Sequence, residues 1–419
     1  MLTGMSGALD AGLNEDAGVY GDAGGHVDTG LHEDAALIDD IYLRLRTVCD
    51  AEGGLVLETP GGPVFTDGRY ELRELARDIA FAQRGGAVFG DPGFFDVPRA
   101  GRSSPEGSAE TRSGHVLEQA ATVAETLAGS HFSAFLTDRD GTVNGYCARY
   151  VTAVQPAWVA LALSRFAHSC CDRAVVLTAA PLEGPGLTDI STMAHEAAVL
   201  AGSKGREFRS EDGARVRQRL PESGAQALEQ CSLAVSRLYE TERYRLFPYI
   251  GGGLQRKHGL TSVSYQDVGK SVPAALSAEF RERVVAEVDA MNAAAGTHEP
   301  PLGWEDTGRD LEVSLREGVS GGHGFDKGDG VRYLAHELDL DLDGRRVLVC
   351  GDTASDIPMV EQALALGARV ETVFVAASVE VKETVSRLVP GALFVDEFES
   401  LVIGLNMLVP EEANEYDFV

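Results

Sequence analysis

Five short apolar runs, FSAFLTD (132–138), RAVVLTAA (173–180), RRVLVCGD (345–352), RVETVFVAA (369–377) and GALFVDE (391–397), constrain the fold of this chain more than any other feature. Each is strand-length, and the last three are separated by helix-like stretches of the length that parallel βα units use. The pattern predicts an α/β class fold with a doubly wound, Rossmann-like sheet. Ligands of such sheets bind outside the carboxyl ends of the strands, and Asp138, Thr178 and Asp352 each fall at such an end.

The first run continues into FLTDRDGTV, which places Asp138 and Asp140 one residue apart. A strand-tip carboxylate can act as a nucleophile when a cation offsets its charge, and a second one two residues on can serve as general acid and base. Acids at strand ends also cap helices or face solvent, so the pair alone decides little. Three further groups follow in order. Thr178 ends VVLT and can donate a hydroxyl to a phosphoryl oxygen. Lys327 in FDKGDG offers a point positive charge for phosphate. Asp352 and Asp356 in CGDTASD supply hard oxygen ligands of the kind Mg²⁺ takes, with a helix N-cap as the plainer role for Asp356.

Composition narrows the partners. The chain has 419 residues, enough for two or three domains, and 65 acids against 36 bases give a formal net charge of −29. That charge excludes a simple electrostatic binder of nucleic acid or of acidic membranes. Only five of the bases are lysines (Lys204, Lys257, Lys270, Lys327 and Lys382). Scarce lysine and abundant acid suit a protein kept soluble in concentrated salt, an unusually acidic protein of ordinary surroundings being the alternative. The six cysteines form no CxxC pair and no disulfide density, and Cys170, Cys171 and Cys350 read as core residues. No stretch approaches the roughly 20 apolar residues of a membrane span, and no export signal opens the chain. The expectation is a reduced, cytoplasmic protein.

Residues 1–34 are rich in Gly, Ala and Asp and are expected to form a disordered acidic tail. A small, mostly helical N-terminal domain is expected over 35–130, with helices in ALIDDIYLRLRTVCDA, YELRELARDIAFAQRGG and HVLEQAATVAETLAG and a hairpin around Pro60-Gly61-Gly62.

Taken in order, FLTDRDGTV, VVLTAAP, FDKGDG and CGDTASDIPM resemble the four motifs of the haloacid dehalogenase superfamily of phosphatases. The resemblance implies that Asp138 attacks phosphorus to form an aspartyl-phosphate. It also implies that Asp140 protonates the leaving oxygen and then activates water, and that Mg²⁺ sits between Asp138, the Asp140 carbonyl and Asp352; Asp356 is the further metal ligand expected from CGDTASD. The long stretch between Thr178 and Lys327 then resembles an inserted α+β cap over 184–317, splitting the core into 131–183 and 318–419. Hinges are expected near Gly184–Gly186 and Gly318–Gly324.

Finer similarity lies in TDRDGTVNGYCARYVTAVQPAW, GSKGREF, YIGGGLQRKHGLTSVSYQDV and LVCGDTASDIPMVEQAL, which are similar to the nematode-type trehalose-6-phosphate phosphatases. This implies a small-molecule sugar phosphate as substrate and places sugar-binding residues in the cap: Arg206, Glu207, Gln255 and Lys257 first, Gln266, Asp267 and Glu312 after them. Phosphates of sucrose, glucosylglycerol or mannosylglycerate are the alternative substrates, and a silent metal-dependent binding module is the alternative class. His323 in SGGHG reads as loop punctuation.

Overall fold

The computed structural model describes residues 29–50, 53–84, 88–89, 94–95, 109–194, 196–210, 213–267, 269–295, 301–316 and 324–410. The five apolar runs form β3 (Ala134–Thr137), β4 (Ala174–Leu177), β12 (Arg346–Gly351), β13 (Arg369–Val375) and β14 (Leu393–Val395), all parallel. They belong to an eight-stranded sheet of order β14-β13-β12-β3-β4-β5-β6-β7. Strands β3 and β4 are buried along their whole length, as expected for parallel strands covered on both faces.

One face of this sheet carries α3 (Ala109–Leu127), α4 (Ala157–Cys170) and α10 (Phe398–Met407). Their apolar residues share a cluster around Trp158, Phe132, Phe135 and Phe166. The other face carries α7 (Lys327–Glu337), α8 (Ile357–Ala365) and α9 (Val379–Leu388), packed on Leu136, Leu177, Val349 and Phe374. The chain runs outward from β3 towards β4 on one side and returns to β12 on the other. The carboxyl ends of β3 and β12, which carry Asp138 and Asp352, therefore flank the switch point where such folds bind ligands.

The cap is smaller than the 184–317 expected from sequence. Strands β5 (Val199–Gly202), β6 (Glu207–Arg209) and β7 (Arg215–Arg217) extend the core sheet, β5 parallel to β4 and the other two antiparallel. The reason is burial: Val199 and Leu200 continue the apolar layer of β4, and Ala201 pairs with Leu177. The inserted α+β unit lies beyond them. It holds α5 (Glu222–Glu240), β8 (Leu254–Lys257), β9 (Leu260–Ser264), α6 (Ala274–Ala295), β10 (Leu302–Asp306) and β11 (Asp310–Leu315). Its sheet has the order β10-β11-β9-β8, and β11 alternates buried and half-buried positions, as a sheet covered on one face requires. Residues 238–240 of LYETERYR, expected to carry strand signals, instead close α5.

The N-terminal elements form no core of their own among the described residues. Helix α1 (Thr29–Val48) starts six residues before Ala35, and residues 1–28 lie outside the described residues. Helix α2 (Arg69–Arg84) is bolted to the core that carries the eight-stranded sheet. Its fully buried Arg77 pairs with Glu74 at 3.0 Å and with Glu399 of α10 at 2.9 Å, and its Asp78 accepts the backbone N–H of Ala157 at the start of α4. The hairpin of β1 (Gly54–Thr59) and β2 (Gly62–Asp67), present as expected, turns the other way. Its Val64 sits in the cap cluster with Val235, Phe247, Ile250 and Val263, and Ser271 Oγ donates to the Phe65 carbonyl at 3.0 Å. Gly61 has to be glycine because a Cβ there would lie 2.5 Å from the Leu246 Cα. One short N-terminal stretch thus touches both core and cap.

Candidate active site

The carboxyl edge of the core sheet gathers the charges. The Asp138 N–H donates to the Cys350 carbonyl at 3.0 Å, which locks the tip of β3 to β12. Lys327 opens α7 behind an Asp326 N-cap whose side chain accepts from the Asp329 N–H. Its Nζ donates to Asp138 Oδ1 at 2.6 Å and to Asp356 Oδ1 at 2.5 Å. The other oxygen of Asp356 accepts the N–H groups of Asp352 and Thr353, both at 3.0 Å. Asp356 therefore has both oxygens engaged in holding Lys327 and closing the turn after β12.

Asp138, Asp352 and Asp356 are all buried and each presents a carboxylate oxygen within 4.8 Å of the others. Three carboxylates face one ammonium. Burial raises Asp138 above the usual carboxylate range and Lys327 opposes the shift; burial and the charge of Asp138 raise Asp352. Burial also pushes Asp356 upward, but Lys327 and the two amides outweigh it and hold the group low. Excess buried negative charge bounded by hard oxygens is the environment a divalent cation relieves, so the donor set fits Mg²⁺.

Asp352 has one more partner. The hydroxyl of Tyr146 donates to Asp352 Oδ2 at 2.6 Å, although the tyrosine is 65% exposed overall. Gly141, at φ +95°, admits this contact, because a Cβ there would lie 2.1 Å from Asp352 Oδ2 and 2.6 Å from the Tyr146 ring. The loop is held from behind by α2: the Tyr70 hydroxyl donates to the buried Asn144 Oδ1 at 2.9 Å. Asp140 is nearer the solvent, its side chain 24% exposed against 8% for Asp138. Arg139 Nη1 reaches Asp140 Oδ1 at 2.5 Å, while the same guanidinium donates to the carbonyls of Ala153 and Ile190. Thr178 is buried at the neighbouring tip of β4, where its Oγ1 accepts the Ala180 N–H at 3.2 Å.

The residues expected to bind sugar separate into two groups. Lys257 on β8 lies 3.6 Å from Glu312 of β11, and Lys204 Nζ donates to the same carboxylate at 3.0 Å. Burial lowers Lys257, with Glu312 pulling against it; Glu312 is itself held low because Lys257 and Lys204 outweigh its burial. Gln255 stands on the same strand as Lys257. Arg206 and Glu207, in contrast, are not on the cap but on the core-sheet extension, both buried. The guanidinium of Arg206 stacks 3.9 Å from the Phe325 ring centre and donates to Gln218. Glu207 accepts from Ser203 at 2.7 Å and from Arg215 at 2.5 Å. Gln266 and Asp267 serve their own turn, accepting backbone N–H groups of Val272 and Ser271. Within the expected hinges, Gly184 and Gly186 both donate their N–H to Asp189; residues 317–323, with His323, lie outside the described residues.

Sequence reasoning missed Arg139, Tyr146 and Lys204. A signal existed for the last: of five lysines in the chain, Lys204 and Lys257 share Glu312 and Lys327 bridges Asp138 and Asp356.

Residues 135–400 match the family model of the trehalose-6-phosphate phosphatase C-terminal domain. The trehalose-phosphatase of Brugia malayi is 34% identical over 260 residues, covering 61% of this chain and 51% of that protein. The UDP-forming alpha,alpha-trehalose-phosphate synthase 2 of Caenorhabditis elegans is 34% identical over 264 residues, covering 62% of this chain and 21% of that protein. The chain therefore spans about half the length of the curated phosphatase and about a fifth of the synthase. The trehalose-6-phosphate phosphatase C-terminal domain from C. albicans, a solved structure, is 13% identical with a TM-score of 0.43, covering 70% of this chain and 95% of that one.

Proposed function

We propose, from the premise that the chain belongs to the trehalose-6-phosphate phosphatase C-terminal family, that it hydrolyses trehalose 6-phosphate to trehalose and phosphate. The observation that carries the chemistry is the buried Lys327 bridging Asp138 and Asp356 at the tip of β3.

In this reading an oxygen of Asp138 attacks phosphorus and the bond from phosphorus to the sugar oxygen breaks. Asp140, on the solvent side of the pair, gives its proton to the departing oxygen. Water then attacks the aspartyl-phosphate, Asp140 takes the proton, and phosphate leaves with Asp138 regenerated as carboxylate. Lys327 opposes the effect of burial and favours the carboxylate form of Asp138, and it faces the phosphoryl oxygens; the Thr178 hydroxyl donates to one of them. Asp138, Asp352 and the Asp140 carbonyl would hold Mg²⁺, which supplies charge neutralisation to the phosphoryl group when bound. Asp356, expected as a further ligand, is assigned instead to holding Lys327. On the cap side Lys257, Gln255 and Glu312 are the groups that meet sugar hydroxyls. Arg206 and Glu207 shape the wall behind them.

The same reading places the protein in a reducing cytoplasm, in keeping with six free cysteines, and in concentrated salt. Precipitation in about 1 M KCl, where the Debye length falls to about 3 Å, would overturn the salt assignment.

The deciding experiment is phosphate release from trehalose 6-phosphate, sucrose 6-phosphate, glucosylglycerol phosphate, glucose 6-phosphate and an aryl phosphate, each with Mg²⁺ and with EDTA. Trehalose 6-phosphate should have the highest kcat/KM and EDTA should abolish turnover. A higher kcat/KM for another sugar phosphate overturns the substrate, and EDTA-resistant turnover overturns the metal.

A further inference from the structure

Lys204 stands in the longest run of left-handed backbone among the described residues. Ser203, Lys204 and Gly205 have φ of 53°, 60° and 93°, three left-handed residues in succession, two of them with side chains. That region is disfavoured for L residues carrying a Cβ, and such conformations persist only where surrounding structure enforces them.

The enforcement is visible on every side. The Ser203 and Lys204 N–H groups donate to the carbonyls of Ala180 at 2.6 Å and Thr178 at 2.9 Å, tying the loop to the tip of β4. The loop also presses on the first turn of α7, the helix that Lys327 opens. A Cβ on Gly330 would lie 2.0 Å from the Lys204 carbonyl oxygen, and one on Gly205 would lie 2.7 Å from the Gly330 Cα. Towards the cap, Ser203 Oγ accepts the N–H of His258 at 2.9 Å, immediately beside Lys257. The backbone therefore fixes the base of the Lys204 side chain relative to both the catalytic lysine and the cap turn. From that base the ammonium crosses to the cap and donates to Glu312 at 3.0 Å, sharing the carboxylate with Lys257. The shared group is partly open, with side-chain exposures of 23% for Lys204 and 17% for Glu312. Nothing about a surface ion pair requires a strained backbone beneath it.

We propose that Lys204 is a specificity-determining residue of the core, which recognises the sugar part of the phosphate ester together with Glu312 and Lys257 of the cap. The proposal rests on the phosphatase reading and deepens it. Sugar hydroxyls both donate and accept, so a carboxylate flanked by two ammonium groups offers them one acceptor and two sets of donors in one place. Because Lys204 is rooted in the core and Glu312 in the cap, the set is complete only when the cap is seated. Sugar recognition is thereby coupled to closure over Asp138. An aryl phosphate has no hydroxyls for this set.

The test compares kcat and KM for trehalose 6-phosphate and p-nitrophenyl phosphate in wild type, Lys204→Met, Lys204→Arg, Glu312→Gln and the double variant Lys204→Met/Glu312→Gln. Lys204→Met keeps the apolar stem and removes the charge. The ratio of the two kcat/KM values should fall by about 30-fold, chiefly through KM for the sugar phosphate, and Lys204→Arg should recover most of it. The double variant should lose much less than the product of the two single losses, since both remove one shared interaction. A ratio unchanged in Lys204→Met, or equal losses with both substrates, overturns the role of Lys204 while leaving the phosphatase reading intact. A wild-type protein that cleaves the aryl phosphate but not trehalose 6-phosphate overturns both the role of Lys204 and the assignment of trehalose 6-phosphate as substrate.

Discussion

Two buried lysines, Lys327 of the core and Lys257 of the cap, meet opposite electrostatic fates. Burial works against the charge of both Lys327 and Lys257. Lys327 nevertheless holds its proton above the ordinary lysine range, because Asp138 and Asp356 approach to 2.6 and 2.5 Å. Lys257 falls below that range: its one carboxylate is 3.6 Å away and shared with a second ammonium, that of Lys204. Two close carboxylates outweigh desolvation and one distant, divided carboxylate does not. The difference separates a lysine held between two close carboxylates from one whose single carboxylate is shared.

That comparison fails if the two clusters do not act on different parts of the substrate, and the largest effect tests it directly. Asp138→Asn removes the nucleophile at nearly constant shape and should lower kcat by roughly 10⁴-fold or more for sugar and aryl phosphates alike, with the circular dichroism spectrum unchanged. Retention of aryl phosphate turnover would show that the β3 tip is not the reacting site. Lys257→Ala should be selective where Asp138→Asn is not. We expect a loss of about 2 to 4 kcal/mol of transition-state binding for trehalose 6-phosphate and a far smaller one for the aryl phosphate. Equal losses would make the cap lysine part of the phosphate site.

The smallest effect sharpens the core side. Tyr146→Phe removes the hydroxyl that holds Asp352 Oδ2 and keeps the exposed ring. Outer partners of metal ligands typically contribute 10- to 100-fold in affinity, so Mn²⁺ binding to the substrate-free protein, followed by calorimetry, should weaken by about 10-fold. Turnover at saturating metal should change much less. Unaltered Mn²⁺ affinity would leave the tyrosine as a surface group that merely touches the site.

The legible part of this protein is the part whose information is local. Alternation of apolar runs with helix-length segments announced β3, β4, β12, β13 and β14, and Asp138, Thr178 and Asp352 appear at their carboxyl ends because a strand of known length has a known end. Lys327 was legible for a different reason: it is one of only five lysines and stands in FDKGDG, which resembles a phosphatase motif. The hairpin around Gly61-Gly62 was written in its turn residues, though not the fact that Val64 enters the cap core.

The illegible part depends on partners far apart in the chain. Arg206 and Glu207 are polar, so pattern alone assigns them to a surface. Only the pairing of β6 with β5 and β7 reveals that they are buried and satisfied by Gln218, Ser203 and Arg215. Tyr146 lies six residues beyond Asp140 in the same loop, yet its meaning comes from Asp352, 206 positions away.

Sequence by itself determined the order of the parallel core strands, the acids at their tips and the lysine that opens α7, since these follow from periodicity, turn chemistry and spacing within single elements. Only the tertiary structure decided where the core sheet ends and the cap begins, and which lysine shares Glu312. Backbone pairing between distant strands and the approach of Lys204 to a carboxylate 108 positions away are tertiary contacts, and no local pattern carries that distance.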